Sequence, residues 1–188
     1  MTMIIILAGG KSSRMGKEKP VLKIAGKEML LRVYEQAEKV DEVLIALSKN
    51  TPKTRELCRK ERVPFVETSG RDYVGDIQEL LKEFGPFISI SADIPFVKAC
   101  DFWLIKKAFD GKRSLTGVLP LSLVPKDLSP VVYKGYAIVG LNAVAEEGEE
   151  FFELSNPLLA LNVNTPEDLE KAERVASLLL SSKEKRQK

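Results

Sequence analysis

Four short apolar runs, Met3–Leu7, Glu42–Leu47, Val63–Val66 and Phe87–Ile90, are each followed by a polar loop and then by a segment of helical spacing. That rhythm constrains the chain more than any other feature. Neighbouring parallel strands need a crossover between them, and a helix packed on the sheet is the usual one. The runs are apolar almost throughout, as strands covered on both faces require. The expected architecture is a three-layer α/β/α fold with a mostly parallel, mixed sheet and right-handed crossovers. Ligands of such sheets sit beyond the carboxyl ends of the strands. The loop from Gly9, Asn50, the loop at Thr68, and Asp93 all follow strands directly, so they should converge on one edge.

The helical segments are expected over Glu28–Lys39, Pro52 to about Glu61, Tyr73–Phe84 and Asp101–Phe109. Leu30, Leu31, Val33, Tyr34 and Ala37 give the first its apolar stripe. Gly85-Pro86 stops the third, and Asp101 is expected to cap the fourth. The second half is less regular. Strands are expected at Ser114–Leu121, Tyr136–Val144 and Leu158–Val163, with Glu146–Glu150 an exposed acidic stretch. Thr165, Pro166 and Asp168 form a capping-box start for a last helix running to about Leu180.

The loop between the first strand and first helix reads Leu7-Ala8-Gly9-Gly10-Lys11-Ser12-Ser13-Arg14-Met15-Gly16-Lys17-Glu18-Lys19-Pro20. Glycines let backbone N–H groups turn toward an anion without a Cβ in the way. Arginine and lysine add positive charge. Two familiar phosphate motifs fail here. A P-loop ending at Gly16-Lys17 would need glycine at Lys11 and a hydroxyl at Glu18, and a dinucleotide fingerprint needs a spacer between Gly9 and Gly10. The plainer reading is a glycine turn, but three glycines, two serines and several cations favour a phosphate cradle.

The chain has no histidine among its 188 residues. Ser-His and Cys-His nucleophile pairs and histidine bases are thereby excluded. Cys58 and Cys100 form no Cys-x-x-Cys pair, which argues against zinc and against a redox dithiol. Carboxylates, cations, hydroxyls and backbone groups remain, a kit suited to phosphoryl or nucleotidyl transfer. A net charge of +2 gives no sign of a nucleic-acid partner. No apolar run reaches the length of a membrane span, so a cytoplasmic protein is expected, with Lys183–Lys188 a solvated tail. Plentiful lysine and glutamate against scarce asparagine and glutamine lean toward a thermophile. The oligomeric state is left open, a homodimer included.

Asp93 ends a buried strand between small residues and a proline, facing the cradle. It is a natural magnesium ligand, with a turn aspartate as the alternative. Lys19, fixed by Pro20 and close to Arg14, is read as a phosphate contact. Asn142 and Asn162 lie in or at the end of apolar strands, where a polar side chain is costly unless paired, so both are candidates. Trp103 and Cys100 are read as structural.

Leu7 to Gly16 with Lys19-Pro20 resembles the signature L-x-G-G-x-S-x-R-M-G-x-x-K-P of the MobA-like nucleotidyltransferases, with every fixed position met. Ser91-Ala92-Asp93-Ile94-Pro95 resembles that family's metal-binding aspartate motif, and Asn162-Val163-Asn164-Thr165-Pro166-Glu167-Asp168-Leu169 its C-terminal stretch. Within the family, Ser48–Thr54, Thr68-Ser69-Gly70 and Ile138–Val144 resemble the archaeal branch acting on GTP and adenosylcobinamide phosphate. Gly70-Arg71-Asp72-Tyr73-Val74-Gly75 departs from the Gly-Pro-Leu-Ala-Gly run of the molybdenum-cofactor branch, which counts against a molybdopterin substrate.

The resemblance implies one Rossmann-like nucleotidyltransferase domain over residues 1–188. Residues 1–110 would be the nucleotide half, and residues 111–188 the acceptor half with the C-terminal helix. It implies a guanylyltransferase in which Arg14, Lys19 and Asp93 are catalytic. GTP would be held by Leu7, Ala8, Gly9, Gly10, Lys11, Ser12, Ser13, Arg14, Gly16 and Lys19, with Asn50, Thr51, Thr68, Ser69 and Gly70 reading base and ribose. Gly140 and Asn142 would face a corrinoid phosphate, and Asp93 with Asn162 would hold Mg2+. A molybdenum-cofactor enzyme, another transferase of this fold, and a nucleotide-binding module without catalysis are the other readings.

Overall fold

The computed structural model describes residues 2–186, with side-chain surroundings through residue 182. The side chains of the expected tail past that point lie outside the described residues. Strands β1 (Ile4–Leu7), β4 (Val43–Leu47), β5 (Phe65–Glu67) and β6 (Phe87–Ser91) are linked by helices α1 (Met29–Ala37), α2 (Pro52–Glu61) and α3 (Tyr73–Phe84). A small hairpin of β2 (Lys23–Ile24) and β3 (Lys27–Glu28) precedes α1. After α4 (Ala99–Ala108) come β7 (Arg113–Pro120), β8 (Val132–Tyr133), β9 (Tyr136–Val144) and β10 (Glu147–Glu153), then α5 (Pro166–Arg186). The main sheet has the order β10-β7-β9-β6-β1-β4-β5, with β8 paired to β9. Strands β5, β4, β1 and β6 run parallel, and β9 is antiparallel to both β6 and β7.

The core explains the faces. Ile4, Ile6, Ile45, Leu47, Ile88 and Ile90 point to one side, against Leu30 and Val33 of α1, Leu57 and Cys58 of α2, and Phe102 and Ile105 of α4. Ile5, Ala46 and Phe87 point to the other, against Leu80 and Ile77 of α3. Burying a large aliphatic side chain contributes about 1.5–3 kcal/mol, so these two-sided strands anchor the domain. Helices α1 and α2 lead one way along the sheet and α3 leads back on the opposite face, as crossovers of one hand demand.

Helix α4 breaks that pattern. The step from β6 to β7 continues in the direction taken from β5 to β6, so the same hand would put α4 beside α3. It packs instead on the face of α1. Asp101 fixes it there: its carboxylate accepts from the Lys98 N–H at 2.8 Å and from Asn156 Nδ2 at 2.7 Å. Asp101 is thus the third residue of a capping box rather than the cap itself. Helix α3 reaches Asn142 and Val144 of β9, and among the described residues no helix packs on that face of β7, β10 and the rest of β9.

Two further expectations change. Glu147–Glu150 begins strand β10, because the stretch pairs in parallel with β7 at the sheet edge while staying exposed. The expected strand Leu158–Val163 is a 3-10 turn over Pro157–Ala160, where Asn156 Oδ1 accepts from the Leu158 N–H and Pro157 presets the turn. The chain then runs extended, and the Val163 N–H donates to the Asp93 carbonyl at 2.9 Å.

Candidate active site

The carboxyl ends of β1, β4, β5 and β6 meet at one edge, and two cavities open there. The larger, about 390 Å3, is lined by Leu7, Gly9, Gly10, Lys11, Asn50, Thr68 and Gly70, together with Arg71, Asp72, Tyr73, Asp76 and Ser91. The smaller, about 70 Å3, is lined by Leu7, Ala8, Gly10, Ser12, Lys19, Pro20, Ser91, Ala92 and Asp93. Leu7, Gly10 and Ser91 border both, so the two are ends of one cleft. The larger end has the size of a nucleoside pocket. The smaller carries the Lys19–Asp93 ion pair.

At the smaller end Asp93 is 8% exposed. One of its carboxylate oxygens meets Lys19 Nζ and the other accepts from Ser91 Oγ. Lys19 Nζ also donates to Asn164 Oδ1 at 3.0 Å, and Arg14 reaches the same oxygen at 3.0 Å. Ser12 Oγ accepts the Lys19 N–H at 3.2 Å, which folds the loop back on itself. Asn164 is held in turn by the start of α5: Asp168 accepts from the Asn164 and Thr165 N–H groups, and the Thr165 hydroxyl accepts from the Asp168 N–H. This is the capping box expected from the sequence. The side chain of Asn162 is exposed. The structure gathers Asn164, two residues on, with Arg14 and Lys19 in its place.

Among the described residues no three acidic, histidine or cysteine side chains form a metal cage. A lone buried carboxylate suits Mg2+, which keeps several waters and binds through one or two carboxylates plus substrate phosphates. The donor chemistry at Asp93 therefore fits the ion expected from the sequence.

The larger end is built around Ser48, a residue the sequence did not single out. It is fully buried. Its hydroxyl donates to the Gly9 carbonyl at 2.6 Å and accepts from the Asn50 N–H at 3.1 Å. Gly70 presses on it from the third loop: a Cβ there would stand 2.6 Å from Ser48 Cβ, and Gly70 has φ +63°. Three loops from three strands thus close on one side chain. Thr51 lies behind them, fully buried, its hydroxyl accepting from the Ser48 N–H at 3.3 Å, so it shapes the turn and does not reach the cavity.

The loop 68–70 is tied to α3 by two acids. Asp76 accepts from the Gly70 N–H and Glu79 from the Ser69 N–H, both at 2.9 Å. The Ser69 hydroxyl and N–H hold Glu79 below the ordinary carboxylate range. Ser69 is exposed and does not line the cleft, and neither do Ser13 and Gly16. Glu18, which spoiled the P-loop pattern, caps α2 by accepting from the Lys53 and Thr54 N–H groups at 2.9 and 2.8 Å. Opposite, Gly140 lies beside Ser91 and Ile94 with φ +63°. Asn142 Oδ1 accepts from the Gly117 N–H at 3.2 Å, beside the bulge that β9 makes around Gly140, so it serves the sheet. Tyr73 as a whole residue is 59% exposed. Its hydroxyl is turned toward Asn142 and Ser89, where burial pushes it above the usual phenol range.

Residues 4–147 match the MobA-like NTP transferase domain. The chain is 31% identical to an adenosylcobinamide-phosphate guanylyltransferase of Methanocaldococcus jannaschii, over 90% of this chain and 94% of that one. It is 29% identical to a probable molybdenum cofactor guanylyltransferase of Aquifex aeolicus, over 88% and 87% of the two chains. Among solved structures, molybdopterin-guanine dinucleotide biosynthesis protein A from Archaeoglobus fulgidus superposes with a TM-score of 0.71 at 18% identity, covering 94% of this chain and 99% of that one. The Rossmann-like α/β fold expected from the strand rhythm is therefore the fold of known nucleotidyltransferases. The cradle, the signature over Leu7–Pro20 and these matches lead to one statement: the chain belongs to the MobA-like NTP transferase family.

Proposed function

We propose that the protein transfers GMP from GTP to the phosphate of adenosylcobinamide phosphate. An oxygen of the acceptor phosphate attacks the α-phosphorus, a new P–O bond forms, the bond to the bridging oxygen breaks, and pyrophosphate leaves. The observation that carries the reading is the continuous cleft, wide enough for a nucleoside at one end and lined by Lys19, Ser12 and Asp93 at the other. The acceptor is argued from the relative that matches over nearly the whole of both chains.

In this reading guanine and ribose lie in the larger cavity beside Asn50, Thr68 and Gly70. The backbone from Gly9 to Ser13 receives the phosphates. Arg14 and Lys19 stabilise charge that grows on the leaving pyrophosphate, an effect strengthened where water is excluded. To do so Lys19 must release Asp93, and the exchange keeps that carboxylate paired with a cation throughout. Asp93 would hold Mg2+, which supplies charge neutralisation and orientation of phosphate oxygens when bound. Asn164 positions both cationic side chains. The attacking oxygen belongs to the substrate, so no histidine or protein nucleophile is needed.

The test is pyrophosphate release from GTP with adenosylcobinamide phosphate, set beside molybdopterin and sugar 1-phosphates. Turnover with the corrinoid alone is expected. Turnover only with molybdopterin would refute the acceptor and keep the family. Lys19→Ala and Asp93→Ala are expected to lower kcat at least a hundredfold, and undiminished turnover would refute the site.

A further inference from the structure

The bare sheet face left by α4 carries an aromatic cluster directly beyond the cleft. Strand β6 pairs with β9 from Leu141 to Val144, and β8 takes over the same edge of β9 at Tyr136 and Ala137. Strand β8 therefore lies in line with β6, past Ser91. On the uncovered face Phe151 of β10 meets two tyrosines edge-on, Tyr133 at 6.0 Å and Tyr136 at 5.8 Å between ring centres. Tyr133 is 51% exposed. Tyr133 and its neighbours Val131 and Val132 are exposed apolar side chains in a contiguous group, of the kind that marks an interaction surface.

The charges at its margin are specific. The Tyr136 hydroxyl donates to Glu153 at 2.8 Å, Thr116 donates to Glu149, and Lys134 lies over the rings of Tyr133 and Phe151 at 5.1 and 5.8 Å. An anionic acceptor body would meet the carboxylates of Glu149 and Glu153 unfavourably. A flat, monocationic macrocycle fringed with carboxamides complements the acids and takes the place over the rings that the Lys134 ammonium holds, Lys134 swinging aside into solvent. Gly140 sits beside Ser91 in the bulge of β9, and Tyr136 lies four residues up the same strand, at most about 13 Å away. A phosphate-bearing side arm spans that gap.

Resting on the acceptor proposed above, we infer that this face is the acceptor platform. The corrin ring stacks on the half-exposed Tyr133, with Phe151 and Tyr136 set edge-on behind it, and its phosphate arm reaches back past Gly140 to Asp93. The nucleotide and the ring then approach from opposite sides of Ser91, separated by Tyr73.

The experiment is steady-state kinetics of wild type, Tyr133→Ala, Phe151→Ala and Tyr133→Phe, varying each substrate in turn. Losing an aromatic contact should raise the acceptor KM about tenfold or more while the GTP KM stays within roughly twofold. Tyr133→Phe should restore the acceptor KM. Unchanged acceptor KM in both alanine variants, with wild type active, would overturn the platform and leave the acceptor reading standing. A wild type inactive with the corrinoid removes that reading and the platform together. Should Phe151→Ala fail to fold, the half-exposed Tyr133 still decides. Sedimentation of the same proteins covers the other occupant: a wild-type dimer split by Tyr133→Ala, at unchanged acceptor KM, would assign the face to a second copy and overturn the proposal.

Discussion

Gly70→Ala tests whether Ser48 governs the nucleoside end of the cleft. Two costs are separable. Holding a non-glycine residue at φ +63° costs about 1–2 kcal/mol. The new methyl would also stand 2.6 Å from Ser48 Cβ, and overpacking of this kind costs about 1–3 kcal/mol. Together they predict a loss of about 2–5 kcal/mol, at about 2–4 °C of Tm per kcal/mol for a domain of this size. Ser48→Gly removes the obstructing side chain along with its bonds to Gly9 and Asn50, each contributing about 1 kcal/mol. The double variant should then be more stable than the sum of the single losses by about 1–3 kcal/mol, the steric share alone. Urea unfolding followed by circular dichroism measures this, and calorimetry with GTP shows whether affinity follows stability. Strict additivity, or a neutral Gly70→Ala, would refute the keystone role of Ser48.

Three other outcomes follow from the geometry. Asn164→Ala should lower turnover more than Asn162→Ala, because Asn164 holds Arg14 and Lys19; the reverse order in a pyrophosphate assay would return the role to Asn162. With a disulfide reagent at pH 8 one thiol, Cys100, should react quickly, and Cys58 only on unfolding, since burial pushes it up to about 11; two fast thiols would contradict the packing of α2. The Glu79 carboxyl is lowered in the fold, so its contribution is complete above the ordinary carboxylate range and is lost as pH falls through and below it. GTP affinity should fall with it in acid, and Glu79→Gln should flatten that limb of the titration.

The parts of the site legible in the sequence were those whose chemistry is local. Gly9, Gly10, Lys11, Ser12 and Lys19 announce a cradle because glycines and cations lie within one loop, and Asp93 stands out at the end of a buried run. The alternation of strands and helices placed them on one edge. Ser48 was not legible, since a serine after a strand is ordinary until the Gly9 and Gly70 loops arrive beside it from distant parts of the chain. Asn164 and Asn162 share a side of an extended segment, and only the bonds from Arg14 and Lys19 separate them. Strand β10 hid because both its acidic residues and its lack of a covering helix look like a loop. The face chosen by α4 depends on Asp101 finding Asn156 fifty-five residues later.

The side taken by α4 has a consequence for how such a protein can diverge. In the first half of the sheet each strand residue is wedged between two layers, so a change of side chain must be answered by its neighbours on both. On the open half, Tyr133, Tyr136 and Phe151 have packing partners below and solvent above. Substitutions there should perturb the core little, so that half can change its surface while the packing around Lys19 and Asp93 is left untouched. The fold thereby divides into a closed half whose strands are held on both faces and an open half held on one, and the boundary between them runs along β9.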